Sequence, residues 1–458
     1  MESYEGEESH PYGVLPAGNM YFATQQEIMT RYYGLGPGIC KLTDELVGEM
    51  LSFLSGTDLI SILQVSRTLY CHANSSDLWR DATLREYEGK GIKYSKCWKD
   101  AYMHTRVYHS EKSIYIKDHV PIRMKGIFSS FLHRMWSCHT CDLATACPGF
   151  FEQSDIPVRE ASDLTIEAFL EEYEIPNLPV VIRGAIYCPA LEKWSNEYLS
   201  QQCGATKRLR ATSAAAPLPA HFTAEEYFQY ATQAKEEAPL YLFERNFAKI
   251  APGLLHDYEV SKYFRASSSN SSNSSSSSNR DNLFRVLGED KRPDYRWLVA
   301  GPARSGSLFH IDPNQTNAWN LCVRGRKKWI FYPPGVPPPG VECSADGADV
   351  VVPISTGEWL LTFWKYHLQA RNDPNPLRRP LEVILNPGEV MFVPHGYWHM
   401  VVNLDESIAL THNYVSTSNL ADCLRFLREK TDQISGVRDR GDVAIQPECL
   451  YTVFIDKL

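Results

Sequence analysis

The sequence contains no apolar run that approaches the roughly 18 residues needed to cross a membrane. Its first ten residues, MESYEGEESH, are acidic and have no apolar core, so no secretory signal is visible. No long basic cluster stands out either. These absences predict a soluble, intracellular protein that does not contact a membrane.

Paired metal-binding motifs are also scarce among the cysteines. The twelve cysteines are scattered, which is typical of reduced thiols in a cytosolic or nuclear protein. In one cluster, SCHTCDLATAC, the residues Cys138, Cys141 and Cys147 lie close to His133 and His139, and such side chains can hold zinc. A second ligand pair at the usual spacing is missing. Ordinary linker cysteines are therefore the favoured interpretation, and a structural zinc ion is the alternative.

Basic charge is not in surplus. The formal net charge is −9, which argues against nucleic-acid binding as the main function because such an interface needs a positive surface. With 43% hydrophobic and 22% charged residues, the composition is that of a globular protein. A chain of 458 residues is too long for one ordinary core, so two or more domains are expected.

The composition and the apolar periodicity of the sequence change several times along the chain. We predict a flexible tail at 1–39, a small helical domain at 40–105, a linker at 106–155, a mixed α/β domain at 156–420 and a helical extension at 421–458. The serine- and asparagine-rich stretch at 266–280 cannot bury apolar area, so we predict a disordered surface insertion there.

The small helical domain is predicted from apolar spacing. Four residues recur at four-residue steps and predict an amphipathic helix that buries them: Leu42, Leu46, Met50 and Leu54. The run SGTDLISILQVSRTLY predicts a second helix, capped by Thr57 or Asp58, with Leu59, Leu63 and Val65 inward. A third helix is predicted in SSDLWRDATLREY, anchored by Leu78 and Trp79.

The stretch LTDELVGEMLSFLSGTDLISILQVSRTLYCHANSSDLWRD resembles an F-box. The residues that carry the resemblance are Leu42, Glu45, Leu46, Leu54, Leu59, Val65, Ser66, Arg67, Leu78 and Trp79. The chain departs from the family at Thr43, where proline is usual, and a generic three-helix bundle shares much of this spacing. The resemblance implies that the helices dock on a Skp-type adaptor.

From 156 to 420 the sequence predicts helices followed by many short strands. The segments LTIEAFLEEYE and TAEEYFQYATQA predict helices. Strands are predicted in LPVVIRGA, YRWLVAG, KKWIFYP, LEVILNPGEVMFVPHG and SIALTHNYVS, which are rich in branched and aromatic residues and bounded by Pro and Gly. This order predicts a double-sheet β roll, and the fold class of the whole chain is multidomain α + β.

Two histidines and an aspartate in this roll have the pattern of a metal site. In SLFHIDPNQTNAW, His310 and Asp312 are two residues apart, so on a strand they would project from the same face. His399 begins another predicted strand, HMVVN. Two histidines and one carboxylate form the facial triad of non-haem Fe(II), which leaves coordination positions open for a cosubstrate and dioxygen.

Context separates these residues from competing histidines. His109 and Glu111 form another His-x-acid pair, but their region lacks predicted strands and reads as surface. His395 precedes His399 by four residues, yet the turn between them argues against a helical zinc face, so we predict a loop residue.

Residues from about 160 to 420 resemble the Jumonji-C (JmjC) family of Fe(II)- and 2-oxoglutarate-dependent oxygenases. The blocks that match are YRWLVAGPARSGSLFHIDPNQTNAWNLCVRGRKKWIFYPP and NPGEVMFVPHGYWHMVVNLDESIALTHNYVS, with PVVIRGA and PLYLFE upstream. They are most similar to the phosphatidylserine-receptor type, described as a lysyl hydroxylase and debated as an arginine demethylase. That family lacks the serine tract. The resemblance implies a double-stranded β-helix (cupin or jelly-roll) fold with flanking helices, Fe(II), and 2-oxoglutarate and O2 as cosubstrates.

The resemblance implies a role for each matching residue. The iron ligands would be His310, Asp312 and His399, and the residues around the cosubstrate would be Lys327, Thr411, Asn320, Asn413, Tyr241 and Ser307. Lys327 would bind the far carboxylate of 2-oxoglutarate, a role that suits an ammonium group, with Thr411 as its partner. Ser307 stands where the family has threonine, and it keeps the hydroxyl.

Several of these residues have a structural alternative. Asn320 and Asn413 can be read as turn or strand-end amides, and Tyr241 as a core tyrosine. Lys328 alternates to the other face and is expected to be a surface lysine. The core is the expected place of Trp319, Trp329 and Trp398.

The implied activity is oxidation of a protein or peptide side chain, with histones or splicing factors as candidate substrates. Conversion of 2-oxoglutarate to succinate and carbon dioxide would drive either hydroxylation or removal of an N-methyl group from lysine or arginine as formaldehyde. The sequence does not choose between them. The alternative function is a substrate-recruiting F-box subunit of an SCF-type ubiquitin ligase. The family suggests the nucleus or cytoplasm, and loops near PPPGVECSADGADVV and Tyr366 to Pro380 are the expected client-binding segments.

Overall fold

The computed structural model describes residues 9–17, 24–110, 119–264, 282–437 and 445–458. The chain divides into two compact units, the first made of Met1–Pro148 with Arg208–Leu240 and the second of Gly149–Lys207 with Tyr241–Leu458. Residues 208–240 thus group with the first unit, although the sequence predicted one continuous domain at 156–420. The predicted insertion at 266–280 lies outside the described residues. In the described part of the chain, no helix has the length and apolar character of a membrane span.

The helices are α1 (Gln25–Ile39), α2 (Asp44–Ser52), α3 (Gly56–Ile62), α4 (Arg67–Ala73), α5 (Ser76–Glu86), α6 (Trp98–His109), α7 (Ser130–Thr140), α8 (Leu143–Ala146), α9 (Ile166–Phe169), α10 (Ala190–Lys193), α11 (Asn196–Cys203), α12 (Ala224–Gln233), α13 (Phe247–Ile250), α14 (Thr356–Ala370), α15 (Leu420–Glu429) and α16 (Pro447–Ile455). The strands are β1 (Val158–Glu160), β2 (Val180–Arg183), β3 (Leu209–Thr212), β4 (Ala220–Phe222), β5 (Tyr241–Glu244), β6 (Arg296–Gly301), β7 (Gly306–His310), β8 (Asn317–Arg324), β9 (Lys327–Tyr332), β10 (Glu342–Cys343), β11 (Val350–Val351), β12 (Leu381–Leu385), β13 (Glu389–Val393), β14 (Trp398–Asn403) and β15 (Ser407–Tyr414).

Helix α1 occupies part of the stretch that the sequence predicted as a flexible tail, so that prediction is wrong for residues 25–39. A capping box starts the helix: the Thr24 hydroxyl accepts a hydrogen bond from the Glu27 N–H, and the Glu27 carboxylate accepts one from the Thr24 N–H. The letters TQQE carried this signal. Helices α7 and α8 likewise lie in the predicted linker at 106–155.

Helix α2 forms where predicted, but it buries the other face. Val47 and Leu51 are buried, whereas Leu42, Leu46 and Met50 are exposed. Both sets recur at four-residue steps, so apolar spacing alone could not choose between them.

The run predicted as the second helix forms two helices, α3 and α4, capped by Ser55 and Ser66. Val65 lies between them and is 66% exposed, so its predicted inward position is wrong. The third predicted helix is α5, where Trp79 is buried as expected and its Nε1 donates to the carbonyl of Ala73 at 2.8 Å.

Two β-sheets form the body of the second unit. Within this unit, the larger sheet has the order β1-β2-β13-β8-β15-β6-β5, and the smaller has the order β12-β9-β14-β7. Side chains from both sheets share one buried cluster, which includes Val181, Cys322 and Met391 from the larger sheet and Trp329 and Val383 from the smaller. We call the space between these inner faces the roll interior. The predicted double-sheet β roll is confirmed.

The region predicted as a helical extension at 421–458 contains most of α15 and all of α16. Residues Cys423 and Leu427 of α15 are fully buried in a cluster with Leu450 and Phe454 of α16. This apolar cluster packs α15 against α16 within the second unit.

Candidate active site

His310, Asp312 and His399 come together in the roll interior. His310 ends β7 and pairs in register with His399 on the neighbouring strand β14, with ring centroids 4.2 Å apart. The sequence placed Asp312 on the strand of His310, but β7 ends at His310. Asp312 instead directly precedes a turn of 3-10 helix at Pro313–Gln315. The turn still brings its carboxylate beside the imidazoles: one ligand atom from each residue lies within 4.8 Å of the others.

Backbone carbonyls fix the orientation of both imidazoles. His310 Nδ1 lies 2.8 Å from the carbonyl of Leu308, and His399 Nδ1 lies 3.2 Å from the carbonyl of Tyr397. A carbonyl oxygen only accepts, so each Nδ1 carries a proton, and Nε2 is the ring nitrogen left to bind a metal. Both histidines are therefore held in the tautomer that binds a metal through Nε2.

The electrostatics of this group suit a divalent cation. Burial lowers the pKa of His399 well below its usual range, and the facing His310 lowers it further, so the metal-binding neutral form prevails. Burial raises the pKa of the Asp312 carboxyl, against the opposing effects of His310 and of a hydrogen bond from Asn413. Two nitrogen donors and one oxygen donor make the ligand set that non-haem Fe(II) takes.

Lys327 provides a buried positive charge on β9, where it is the register partner of Asn403, four residues along β14 from His399. Its side chain is 1% exposed, and its Nζ donates to the hydroxyl of Tyr241 at 3.0 Å and to Oδ1 of Asn403 at 2.7 Å. Both partners are neutral, and no carboxylate in the described part of the chain pairs with this ammonium group. A buried unpaired charge is costly, and the third N–H remains available, so the site fits the carboxylate of a bound ligand.

Lys328 faces the opposite side of the sheet, as predicted, but it is not a surface residue. It is fully buried, and its Nζ lies 2.9 Å from Oε2 of Glu382. The same carboxylate also pairs with Arg371 and His367. The prediction failed because α14, which carries His367, covers this outer face.

Within the part of the chain that the structure describes, two buried polar atoms of the roll interior have no hydrogen-bond partner. Asn320 lies on β8 between Ala318 and Cys322, which both belong to the interior cluster, so alternation places it on the same face. Asn320 Oδ1 has no hydrogen-bond partner among the described residues, and neither does Nε1 of Trp329 on the facing sheet. Each such atom costs about 1–3 kcal/mol unless a ligand or water satisfies it. A polar cosubstrate fits this interior.

Thr411 and Asn413 lie two residues apart on β15 and point to the same face. Thr411 is the register partner of Asn320, and its hydroxyl donates to the carbonyl of Trp319 at 3.2 Å. Asn413 donates to the hydroxyl of Thr316 at 2.8 Å and hydrogen-bonds to Asp312. In the structure, Asn413 thus orients a candidate metal ligand.

A β-bulge turns Ser307 toward the metal site. His310 pairs with His399 and Ser307 pairs with Val401, so three steps along β7 match two along β14. Register partners share a face, and Ser307 therefore faces the interior together with His310.

The other histidine, cysteine and tryptophan residues discussed from the sequence are not among the candidate metal ligands. His395 lies in a turn, as expected, where its ring nitrogens contact Asn317 and Asp422. Cys138, Cys141 and Cys147 do not form a second group of metal-binding side chains within the described residues. The three tryptophans expected in the core are all buried: Trp319, Trp329 and Trp398.

Asn403 and Ser305 also belong to this site, and neither was predicted from the sequence. Asn403 contacts Lys327 directly, and Ser305 contacts it through Asn403. Along the chain, Asn403 lies 76 positions and Ser305 lies 22 positions from Lys327. The only sequence signal for Asn403 is that HMVVN continues the strand of His399 by four residues, which returns to the same face.

The chain matches the model of a cupin-like domain over residues 166–419. It is 37% identical over 438 residues to the arginine-specific demethylase JMJ22 of Arabidopsis thaliana, a match that covers 95% of this chain and 80% of that protein. The chain belongs to the cupin-like JmjC family. A further JmjC relative, the bifunctional arginine demethylase and lysyl-hydroxylase psr-1 of Caenorhabditis elegans, is 33% identical over 278 residues, with 57% of this chain and 61% of that protein covered.

A third JmjC relative carries the cofactors in its name. The 2-oxoglutarate and iron-dependent oxygenase JMJD4 of Mus musculus is 36% identical over 141 residues, which covers 31% of this chain and 31% of that protein. The chain thus spans less than two thirds of psr-1 and of JMJD4. At the level of the JmjC family, the predicted enzyme class and the predicted Fe(II) and 2-oxoglutarate are confirmed.

Proposed function

We propose that this JmjC protein oxidises basic side chains of a protein substrate, with removal of methyl groups from arginine as its main reaction. The observation that carries the proposal is the buried ammonium group of Lys327, whose hydrogen-bond partners among the described residues are all neutral. Lys327 lies on β9, the strand that pairs with β14, which carries His399. Demethylation of arginine is chosen because JMJ22, named for that activity, matches 95% of this chain.

The proposed roles follow from the geometry. Nε2 of His310, Nε2 of His399 and the carboxylate of Asp312 would hold Fe(II), while Lys327 and Thr411 would bind the far carboxylate of 2-oxoglutarate. When bound, iron with 2-oxoglutarate and dioxygen supplies the oxidation that turns a substrate C–H bond into C–OH. The protein orients these groups and keeps water out of the roll interior.

The products distinguish the possible outcomes. Hydroxylation of an N-methyl carbon gives N–CH2–OH, which releases formaldehyde and leaves N–H, so the peptide loses one CH2. Hydroxylation of a lysine carbon adds one oxygen and stays in place. In both cases one 2-oxoglutarate and one O2 are consumed, and one succinate and one carbon dioxide are formed.

The test uses the full chain with Fe(II), 2-oxoglutarate and peptides that carry N-methylarginine or lysine. We expect succinate together with a peptide that has lost one CH2 per turnover, measured by mass spectrometry. His310→Ala should abolish both signals, and His395→Ala, a nearby histidine outside the ligand group, should keep them. Equal turnover by the His310 variant and the unaltered chain would refute the assignment.

A second candidate function is supported by the surface of the first unit. Five apolar residues on and around α2, which we call the α2 patch, are exposed: Leu42, Leu46, Met50, Phe53 and Val65. Phe53 is 80% exposed and Leu46 is 52% exposed. Large exposed apolar side chains can mark an interaction site, and the F-box resemblance of the same residues favours a Skp-type adaptor.

The adaptor proposal is tested by binding to purified Skp-type protein. Leu46→Asp should abolish binding with only a small change in the melting temperature, because about half of this residue is already exposed to water. Leu377→Asp, at an exposed leucine of the second unit, is the matched control and should bind normally. Failure of the unaltered chain to bind the adaptor would remove this function and leave the oxygenase proposal intact.

A further inference from the structure

Asn403 fixes the position of Lys327 and adds no charge in doing so. The two residues are register partners on β14 and β9, and Oδ1 of Asn403 accepts a hydrogen bond from Nζ of Lys327 at 2.7 Å. We propose that Asn403, held by Ser305, is a positioning residue that aims the ammonium group at the cosubstrate carboxylate while preserving its charge. This inference rests on the proposed function.

The amide of Asn403 is fixed at every polar atom. Its Nδ2 donates to the hydroxyl of Ser305 at 2.9 Å, and that hydroxyl donates to the carbonyl of Pro302 at 2.6 Å. Its backbone N–H donates to the carbonyl of Ser305 at 2.8 Å, and its carbonyl accepts from the N–H of Arg304 at 2.8 Å. An inverted amide would direct N–H groups at an ammonium group, so Oδ1 must face Lys327.

Neutrality is the property that matters at this position. An aspartate is nearly the same size as asparagine and would accept the same hydrogen bond, but it would form a buried ion pair. That is the arrangement of the neighbouring Lys328, whose charge Glu382 already balances. With asparagine at 403, the charge of Lys327 remains for a ligand, so the position selects for anionic cosubstrates.

The experiment compares Asn403→Asp with the unaltered chain by calorimetric titration of 2-oxoglutarate into protein loaded with Mn(II). A hydrogen bond or ion pair to a charged group is worth about 1.5–3 kcal/mol, so we expect affinity to fall about 10- to 100-fold. The melting temperature should not fall, because the variant gains an internal ion pair. Asn375→Asp, at an exposed cap that aspartate also satisfies, is the matched control and should bind normally.

The possible results separate the two proposals. Unchanged affinity in Asn403→Asp, with binding by the unaltered chain, would overturn the positioning role and leave the proposed function standing. No binding by the unaltered chain would overturn both. If Asn403→Asp fails to fold, Ser305→Ala replaces it: removing the hydroxyl should weaken 2-oxoglutarate binding severalfold, and unchanged affinity would again overturn the role.

Discussion

Two adjacent lysines show how the surroundings of a residue set its role. Lys327 and Lys328 point to opposite faces of β9, and both are buried. Glu382 neutralises Lys328, and burial lowers the pKa of this lysine despite that carboxylate. Lys327 has neutral partners only. Lys327 is therefore available to bind a ligand, whereas Lys328 has a structural role.

Replacing each lysine with methionine should separate these roles. Lys327→Met should abolish 2-oxoglutarate binding, measured by calorimetry. It should leave the free energy of unfolding nearly unchanged, because removing a buried charge that has no ionic partner among the described residues offsets the loss of the hydrogen bonds to Tyr241 and Asn403. Lys328→Met should keep binding and cost about 2–3 kcal/mol, less than the ~3–5 kcal/mol for a fully orphaned ion, because Arg371 and His367 still pair with Glu382. The reverse pattern would show that the two roles are wrongly assigned.

At the scale of elements, the close contact of β7 with β14 brings the two histidines together. Gly306 begins β7 with a φ of +153°, and a Cβ there would lie 1.9 Å from the carbonyl oxygen of Val401 on β14. No side chain fits in that space, so glycine sets the separation of the strands that carry His310 and His399.

Gly306→Ala should therefore disturb the metal site directly. We expect β7 to move from β14 and the affinity for Mn(II), measured by calorimetry, to fall at least about tenfold, the equivalent of about 1.4 kcal/mol. Gly38→Ala, where an added Cβ would meet nothing within 4 Å, is the control and should bind normally. Normal affinity in the Gly306 variant would mean that this strand contact does not position the ligands.

Most of the elements predicted from the sequence have a local cause, and most of the features that it did not predict, apart from helix α1, have a tertiary cause. The strands of the roll follow from branched residues between turns. His310 and His399 were predicted to share one metal site from two motifs that lie 89 positions apart in the chain. The buried face of α2 was not predicted, because Leu46 and Val47 belong to equally regular apolar rows. The burial of Lys328 depends on α14, which lies later in the chain. Helix α1 was missed although its capping box was present in the sequence.

At the scale of the whole molecule, buried histidines should make stability depend on pH. Burial lowers the pKa values of His72 and His412, the latter well below its usual range. The unfolded chain takes up protons below its histidine pKa of about 6.5, and the folded chain does not. The contribution of these two histidines to the free energy of unfolding is therefore fully present above this pH and is lost as the pH falls below it.

The contribution of His412 to this decline is measurable. Its ring stacks on Trp319 with centroids 4.3 Å apart, so His412→Phe keeps an aromatic contact and removes the titrating group. Between pH 7.5 and 5.5, the unaltered chain should lose about 1.4 kcal/mol more than the variant in the free energy of unfolding. Parallel pH profiles for the two proteins would contradict this, because they would mean that His412 takes up a proton as readily in the folded state as in the unfolded state.

The most direct test of the account is the metal stoichiometry of the purified chain under anaerobic conditions. With Fe(II), calorimetry or elemental analysis should give one ion per chain, and Asp312→Ala and His399→Ala should each reduce binding to a trace while His395→Ala keeps it. One ion per chain in all three variants, or none in the unaltered protein, would contradict the assignment of His310, Asp312 and His399 as a single iron site.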